Sequence, residues 1–232
     1  MHDEVKSDNR KQEFLHVALQ LFYEKGYENT TINDIIEHMD VSKGAFYHYF
    51  ESKEDVIVTL AKVYTDRAVR IIKKIIARPD LSVIGKLNEV FCSMNEYKYR
   101  ERDLRFKFRG AIKSEANLKL QHKIINYVKQ DAIGLFEELI DRGAAEGVIG
   151  DPVNPRELAD FFLNTMFSLN IEVNEMENEL YNNENKLDYQ GLLGRLDEKV
   201  RFYEMILERI FQQKEGAFDL RTAYVKRFQH ME

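Results

Sequence analysis

Residues 40 to 55 read DVSKGAFYHYFESKED, a run in which Ser42, Lys43, Tyr47, His48, Tyr49 and Lys53 supply hydrogen-bond donors of four kinds. Lysine donates to guanine O6 or N7 in the major groove of duplex DNA, and hydroxyl, phenol and imidazole donors suit phosphate oxygens. Gly44 has no side chain, so the backbone there can approach a large surface closely, and free amides at a helix start favour an anion. In a helix of about one to two turns, Phe46 and Phe50 share one face at i and i+4, while Lys43, Gly44 and Tyr47 point elsewhere. Two aromatic anchors therefore hold a short helix whose other faces carry the donors. Consecutive helical residues point in different directions, so Tyr47, His48 and Tyr49 cannot all be buried. Such chemistry is that of a helix-turn-helix recognition helix.

The elements needed to position this helix are legible upstream. Phe14, Val17, Ala18, Leu21 and Phe22 recur as one apolar stripe of an amphipathic helix, which Gly26 is placed to end. Thr31-Ile32-Asn33-Asp34 reads as a variant capping box, with Asp where Glu or Gln is usual, and predicts a short second helix to about Met39. Asp40 falls where a turn residue tolerant of positive φ is needed. Ser42 is placed to cap the third helix, and Ser52-Lys53-Glu54-Asp55 resembles a capping box for a fourth.

Composition excludes several alternatives. The 232 residues, 44% hydrophobic, suffice for a real core. Cys92 is the sole cysteine, so no disulfide framework exists within the chain, and its apolar run VFCSM suits a buried, inert thiol. The charged start MHDEVKSDNRK lacks the apolar run of a signal peptide, and no stretch approaches the roughly 20 apolar residues that span a bilayer. A cytoplasmic protein with no membrane association is expected, and the sequon at Asn29 has no consequence there. Nucleotide loops, Cys-x-x-Cys and His-Glu-x-x-His are absent, and His2, His16, His38, His48, His122 and His230 are scattered. No catalytic residue, metal site or cofactor is expected, and an enzyme is unsupported. The net charge of −6 argues against binding nucleic acid through bulk positive charge, and residues 1 to 62 carry seven Lys or Arg against twelve Asp or Glu. Any DNA contact must be local.

The run from GYENTTINDI through VSKGAFYHYFESKED, residues 26 to 55, resembles the DNA-binding domain of TetR-family transcriptional regulators. It shares with them a glycine and aromatic, paired threonines, an isoleucine-containing helix, Val-Ser-x-Gly, Tyr-x-x-Phe and a Ser-Lys-Glu helix start. Ile36 stands where that family commonly has alanine, and Asp40 where glycine is frequent. The resemblance implies that Lys43, Gly44 and Tyr47 approach base edges while Thr31, Ser42, His48, Tyr49 and Lys53 lie near phosphates. It also implies an all-α chain of two parts. Residues 1–55 would form a three-helix helix-turn-helix DNA-binding domain, and residues 56–232 a larger helical domain for effector binding and dimerisation.

Periodicity extends the helical reading to the rest of the chain. A long fourth helix is expected to end before Pro79, with further helices near 81–98, 103–114, 117–146, 155–176 and 195–214 and a possible last one near 219–230. The acidic, asparagine-rich residues 174–190 read as a solvated connection. Apolar stripes carrying Leu158, Phe162 and Met166, and Tyr203, Ile206 and Ile210, suit either a monomer core or a dimer interface; the resemblance favours a homodimer on a near-palindromic operator. The basic run KYRERDLRFKFR, residues 98 to 109, suits a solvated helix face or an anion-attracting rim, as for an acyl-coenzyme A. Phe91, Met94, Tyr97, Phe106, Tyr127, Phe136 and Met166 are candidate linings for an apolar or amphipathic small-molecule effector. The expected function is sequence-specific transcriptional regulation, with repression relieved by that effector. The alternative is a DNA-bound structural or interaction protein controlled by a protein partner.

Overall fold

A computed structural model of the chain describes residues 2–101, 103–104, 107–108, 110, 118–150, 154–182 and 189–224. Among them every regular element is a helix: α1 His2–Lys25, α2 Ile32–His38, α3 Lys43–Tyr47, α4 Lys53–Ile76, α5 Val83–Arg100, α6 Leu118–Ala145, α7 Pro155–Asn182 and α8 Tyr189–Ile210. The chain divides into two units, residues 1–68 with 100–128, and residues 69–99 with 129–232.

The first unit is organised by the stripe of α1. Phe14, Ala18, Leu21 and Phe22 are buried with Ile35 of α2, Phe46 of α3, and Val56, Ile57 and Ala61 of α4. Burial of these α4 residues draws the unit past residue 55. Gly26 ends α1 at φ +82°, a conformation that costs glycine little, and the Thr30 hydroxyl donates back to Gly26 O at 2.8 Å and Leu21 O at 3.2 Å. Asp40 makes the turn into α3 at φ +49°, a left-handed conformation that aspartate tolerates better than most residues. At the start of α4, Ser52 Oγ accepts from Asp55 N at 3.0 Å, while the Asp55 carboxylate accepts from Glu51 N at 3.1 Å, one residue before the cap. The Ser52 box therefore closes on Glu51 instead of on the cap residue's own amide.

The second unit has its own core, in which Phe136 of α6, Phe162 of α7 and Phe211 just beyond α8 stack in sequence, with ring centroids 5.4 and 6.1 Å apart. Pro155 opens α7, where Asn154 Oδ1 accepts from Glu157 N at 3.2 Å. Gly143 must be glycine: a Cβ there would lie 2.6 Å from Ile149, whose amide donates to Gly143 O where the chain reverses after α6. Residues 174–190 differ from the sequence expectation. α7 continues to Asn182 and α8 starts at Tyr189, so the connection is far shorter than the polar composition suggested. Val173 is fully buried and Met176 packs on the core, which carries the helix into the acidic stretch. Residues 103–104, 107–108, 110 and 221–224 are helical; Asp219 and Leu220 precede the last helix instead of opening it, with the Asp219 carboxylate accepting from Thr222 N at 3.0 Å, and the other residues of both expected helices lie outside the described residues.

Candidate DNA-reading surface

The surface starts from Phe46, which is fully buried, and Phe50, which is nearly so. Their rings lie 5.7 Å apart, and Phe14 of α1 meets them edge-on at 5.9 and 6.1 Å. Anchoring fixes the rotation of α3: Ala45 packs half-buried on the same core, while Lys43, Gly44, Tyr47 and His48 are all exposed, Tyr47 at 48%. Ser42 caps the helix, its Oγ accepting from Ala45 N at 3.2 Å. The Lys43 ammonium rests 5.9 Å from the Tyr47 ring centroid, and the Tyr49 ring lies between Phe14 at 5.6 Å and His48 at 4.8 Å. Lys43, Gly44, Tyr47 and His48 thus share one short helix and its cap, with nothing of their own unit burying them.

Thr31 and Lys53 have other work. Thr31 caps α2: its Oγ1 accepts from Asp34 N at 3.1 Å and donates to the Asp34 carboxylate at 2.5 Å, and its amide donates to the same carboxylate at 2.7 Å. Lys25, bonded to Asp34 at 2.6 Å, and then Thr31 hold that carboxyl well below the usual carboxylate range. A depressed folded-state value means that the stabilisation is present at neutral pH and is lost as pH falls below the ordinary carboxylate range. Asp34→Asn is expected to flatten the acid limb of stability against pH, measured as melting temperature between pH 7 and pH 3.

Lys53 Nζ donates to Tyr27 O at 2.6 Å and Glu28 O at 3.2 Å and lies 4.4 Å from the Tyr27 ring centroid. Burial pushes the Tyr27 phenol up to about 12, so it stays neutral beneath the ammonium, and burial also lowers the lysine pKa. This lysine, expected near phosphate, ties the loop after α1 to the start of α4 within the chain. Lys53→Ala is expected to lower the stability of the first unit by about 1–3 kcal/mol, the scale of hydrogen bonds to a charged donor, as read by urea denaturation.

A second surface lies on α7 and α8 of the other unit, which are joined by a Lys199–Glu172 ion pair. The continuous apolar stripe of α7 is turned into the unit's own core: Phe162 is 1% exposed, and Leu158 and Met166 pack against that core. Tyr203 also packs there, Ile206 is half-buried and Ile210 is exposed. The flanking residues face solvent, Phe161 and Ile171 on α7 and Phe202 on α8, the last two at 57% and 56%. The most continuous apolar stripe of α7 omits Ile171, because the helix's buried face is apolar throughout while its exposed face is partly polar.

Of the candidate effector-lining residues, Phe91, Tyr97 and Phe136 are buried and Met94 and Met166 half-buried in the second unit. Phe106 and the side chain of Tyr127 lie outside the described residues. Two amides missed at the sequence level lie one turn from Phe91 and Met166. Asn95 is 3% exposed, with Nδ2 donating to Phe91 O at 3.0 Å and Oδ1 left without a donor; Asn170 Oδ1 is likewise buried and unsatisfied. The described residues contain no group of three or more metal-ligating side chains. None of their helices is long and apolar enough to cross a membrane.

Comparison with known proteins agrees with this construction. Residues 14–60 match the family model for bacterial regulatory proteins of the tetR family. The HTH-type transcriptional regulator YfiR of Bacillus subtilis (strain 168) is 26% identical over 190 residues, 80% of this chain and 87% of that protein. The HTH-type transcriptional repressor KstR2 of Rhodococcus jostii (strain RHA1) is 33% identical over 64 residues, 28% of this chain, and the chain spans under a third of its length, 31%. The structure of FadR from Bacillus subtilis in complex with stearoyl-CoA superposes with a TM-score of 0.58 at 19% identity, over 88% of this chain and 99% of that one. An all-helical chain that presents a short donor-bearing helix from an aromatic-anchored helix-turn-helix is a DNA-binding regulator. Residues 14–60 of this chain carry the DNA-binding domain found in bacterial regulatory proteins of the tetR family.

Proposed function

We propose that the protein is a repressor that binds a near-palindromic operator as a two-fold dimer and leaves it when a small-molecule effector enters the second unit. The observation that carries this reading is the exposed face of α3, on which Lys43, Gly44 and Tyr47 stand clear of the core that anchors Phe46. Lys43 and Tyr47 supply base-directed donors, Gly44 admits the backbone to the groove, and Ser42, His48 and Tyr49 supply phosphate-directed donors at either end. Dimerisation is assigned to α7 and α8, where Phe161, Ile171, Phe202 and Ile210 are large apolar residues left exposed within one chain. A two-fold dimer presents two copies of α3 to half-sites spaced by about one helical turn of DNA or a multiple of it.

The effector assigned here is amphipathic. Phe91, Met94, Tyr97, Phe136 and Met166 suit an apolar portion, and the unsatisfied Asn95 and Asn170 oxygens suit a ligand that brings a hydrogen-bond donor. Repression accords with KstR2, and an amphipathic ligand with the stearoyl-CoA bound by FadR. The effector must bind the DNA-free state more tightly, and a coupling of about 1–3 kcal/mol changes operator affinity by roughly 5- to 150-fold. Titrating long-chain alcohols, fatty acids and acyl-coenzyme A esters with and without operator tests this. An inducer binds less tightly when operator is present, and a compound with equal affinity in both titrations is not the inducer. Asn95→Leu is expected to weaken donor-bearing ligands by about tenfold relative to donor-free analogues of the same length.

A further inference from the structure

We infer that Lys11, on α1, is a phosphate-contacting residue of the DNA complex and takes the part that Lys53 is unavailable to play. The inference rests on the DNA-binding reading above. Among the described side chains of α1 to α3, Arg10 is paired with Glu13 and Lys25 with Asp34, while Lys11 and Lys43 have no carboxylate within ion-pair distance. Lys53, at the start of α4, has its ammonium on two backbone carbonyls. In residues 1 to 62, where acidic residues outnumber basic ones, a cation free to meet a phosphate is scarce.

Placement singles out Lys11 for the task. It lies one turn before Phe14, and Phe14 packs on Phe46, Tyr49 and Phe50. The Lys11 ammonium lies 5.6 Å from the Phe50 ring centroid, beside the end of α3 that carries His48 and Tyr49. The Lys43 ammonium, which starts from the first residue of α3, lies 5.9 Å from the ring of Tyr47, the last residue of that helix. Two ammonium groups without a carboxylate partner, each resting on an aromatic face, therefore lie beside rings at the C-terminal end of the reading helix. The one on α3 is directed to bases, and the one on the neighbouring helix is placed for the flanking backbone. An ammonium held over a ring and not by a carboxylate exchanges that contact for a phosphate without separating an ion pair. Phosphate carries no sequence information, so Lys11 contributes affinity and salt dependence and leaves base preference alone.

The test measures the dependence of binding on salt for the full-length protein and a mixed-sequence duplex several helical turns long. Each phosphate neutralised contributes about 0.9 to the slope of log K against log salt, so Lys11→Gln is expected to reduce the slope by about 0.9 per chain bound, or about 1.8 for a dimer. Lys11→Arg is expected to keep the wild-type slope, and Lys53→Gln to keep it at equal folded fraction. Lys11→Gln is also expected to lower affinity for every sequence by the same factor. An unchanged slope in Lys11→Gln overturns the inference, as does an affinity loss confined to particular sequences. Wild-type protein with no measurable duplex affinity at low salt overturns the DNA-binding reading itself along with it, an outcome recognisable before any variant is made.

Discussion

Phe46→Ala is expected to abolish DNA binding by unfolding the first unit, although Phe46 is buried away from the exposed face of α3. The ring is fully buried and packs edge-on against Phe14, with Phe50 at 5.7 Å and Tyr47 at 5.5 Å. Removing a buried phenylalanine ring costs about 3–5 kcal/mol in lost transfer energy and residual cavity. A small domain has only about 5–15 kcal/mol to lose. The five residues of α3 contain no other fully buried side chain, so within the helix itself Phe46 is the main anchor, and Phe50 beyond its cap is the second. Chemical denaturation followed by helicity should show an early transition for this unit, and duplex affinity should fall with the folded fraction. Phe46→Leu, which keeps most of the volume, should retain a measurable part of both.

The second large effect is expected at the proposed dimer surface. Ile171→Glu combined with Phe202→Glu places carboxylates at two sites more than half exposed in the single chain. Folding should therefore be unaffected, while association would require burying charge at an apolar contact. Sedimentation should show wild type as a dimer at micromolar concentration and the double variant as a monomer with wild-type helicity. Because one reading unit then binds without the other, affinity for a palindrome should fall by about 10²- to 10⁴-fold while affinity for a single half-site stays the same. Phe162→Glu is a poor substitute: that ring lies between Phe136 and Phe211 in the unit's core, and the variant would lose its fold.

The helix-turn-helix was legible because each of its devices is local. Gly26, the Thr31–Asp34 box, Asp40 and the Ser42 cap are fixed by residues no more than a few positions apart, and each has the backbone conformation or hydrogen bond that its residue type demands. The roles of individual side chains were less legible. Lys53 follows a Ser cap in a run full of donors, and nothing in that run shows that the carbonyls of Tyr27 and Glu28 lie within 3.2 Å of its ammonium. The second unit obeys the same distinction. Helix identity followed from apolar periodicity, but polar composition past residue 174 concealed that Val173 and Met176 still had a core to cover. Which apolar residues of α7 turn inward depends on neighbours distant in sequence, so Phe162 and Ile171 cannot be separated by pattern alone.

The central claim is that α3 reads DNA sequence through Lys43. Selecting bound duplexes from a random pool with wild type and Lys43→Ala in parallel tests it most directly. The account predicts a near-palindromic consensus for wild type, and for the variant a loss of about 1–3 kcal/mol of discrimination at the base pair beneath Lys43, with the other positions retained. A wild-type pool without consensus, or a variant that selects the same consensus with the same stringency, would contradict it.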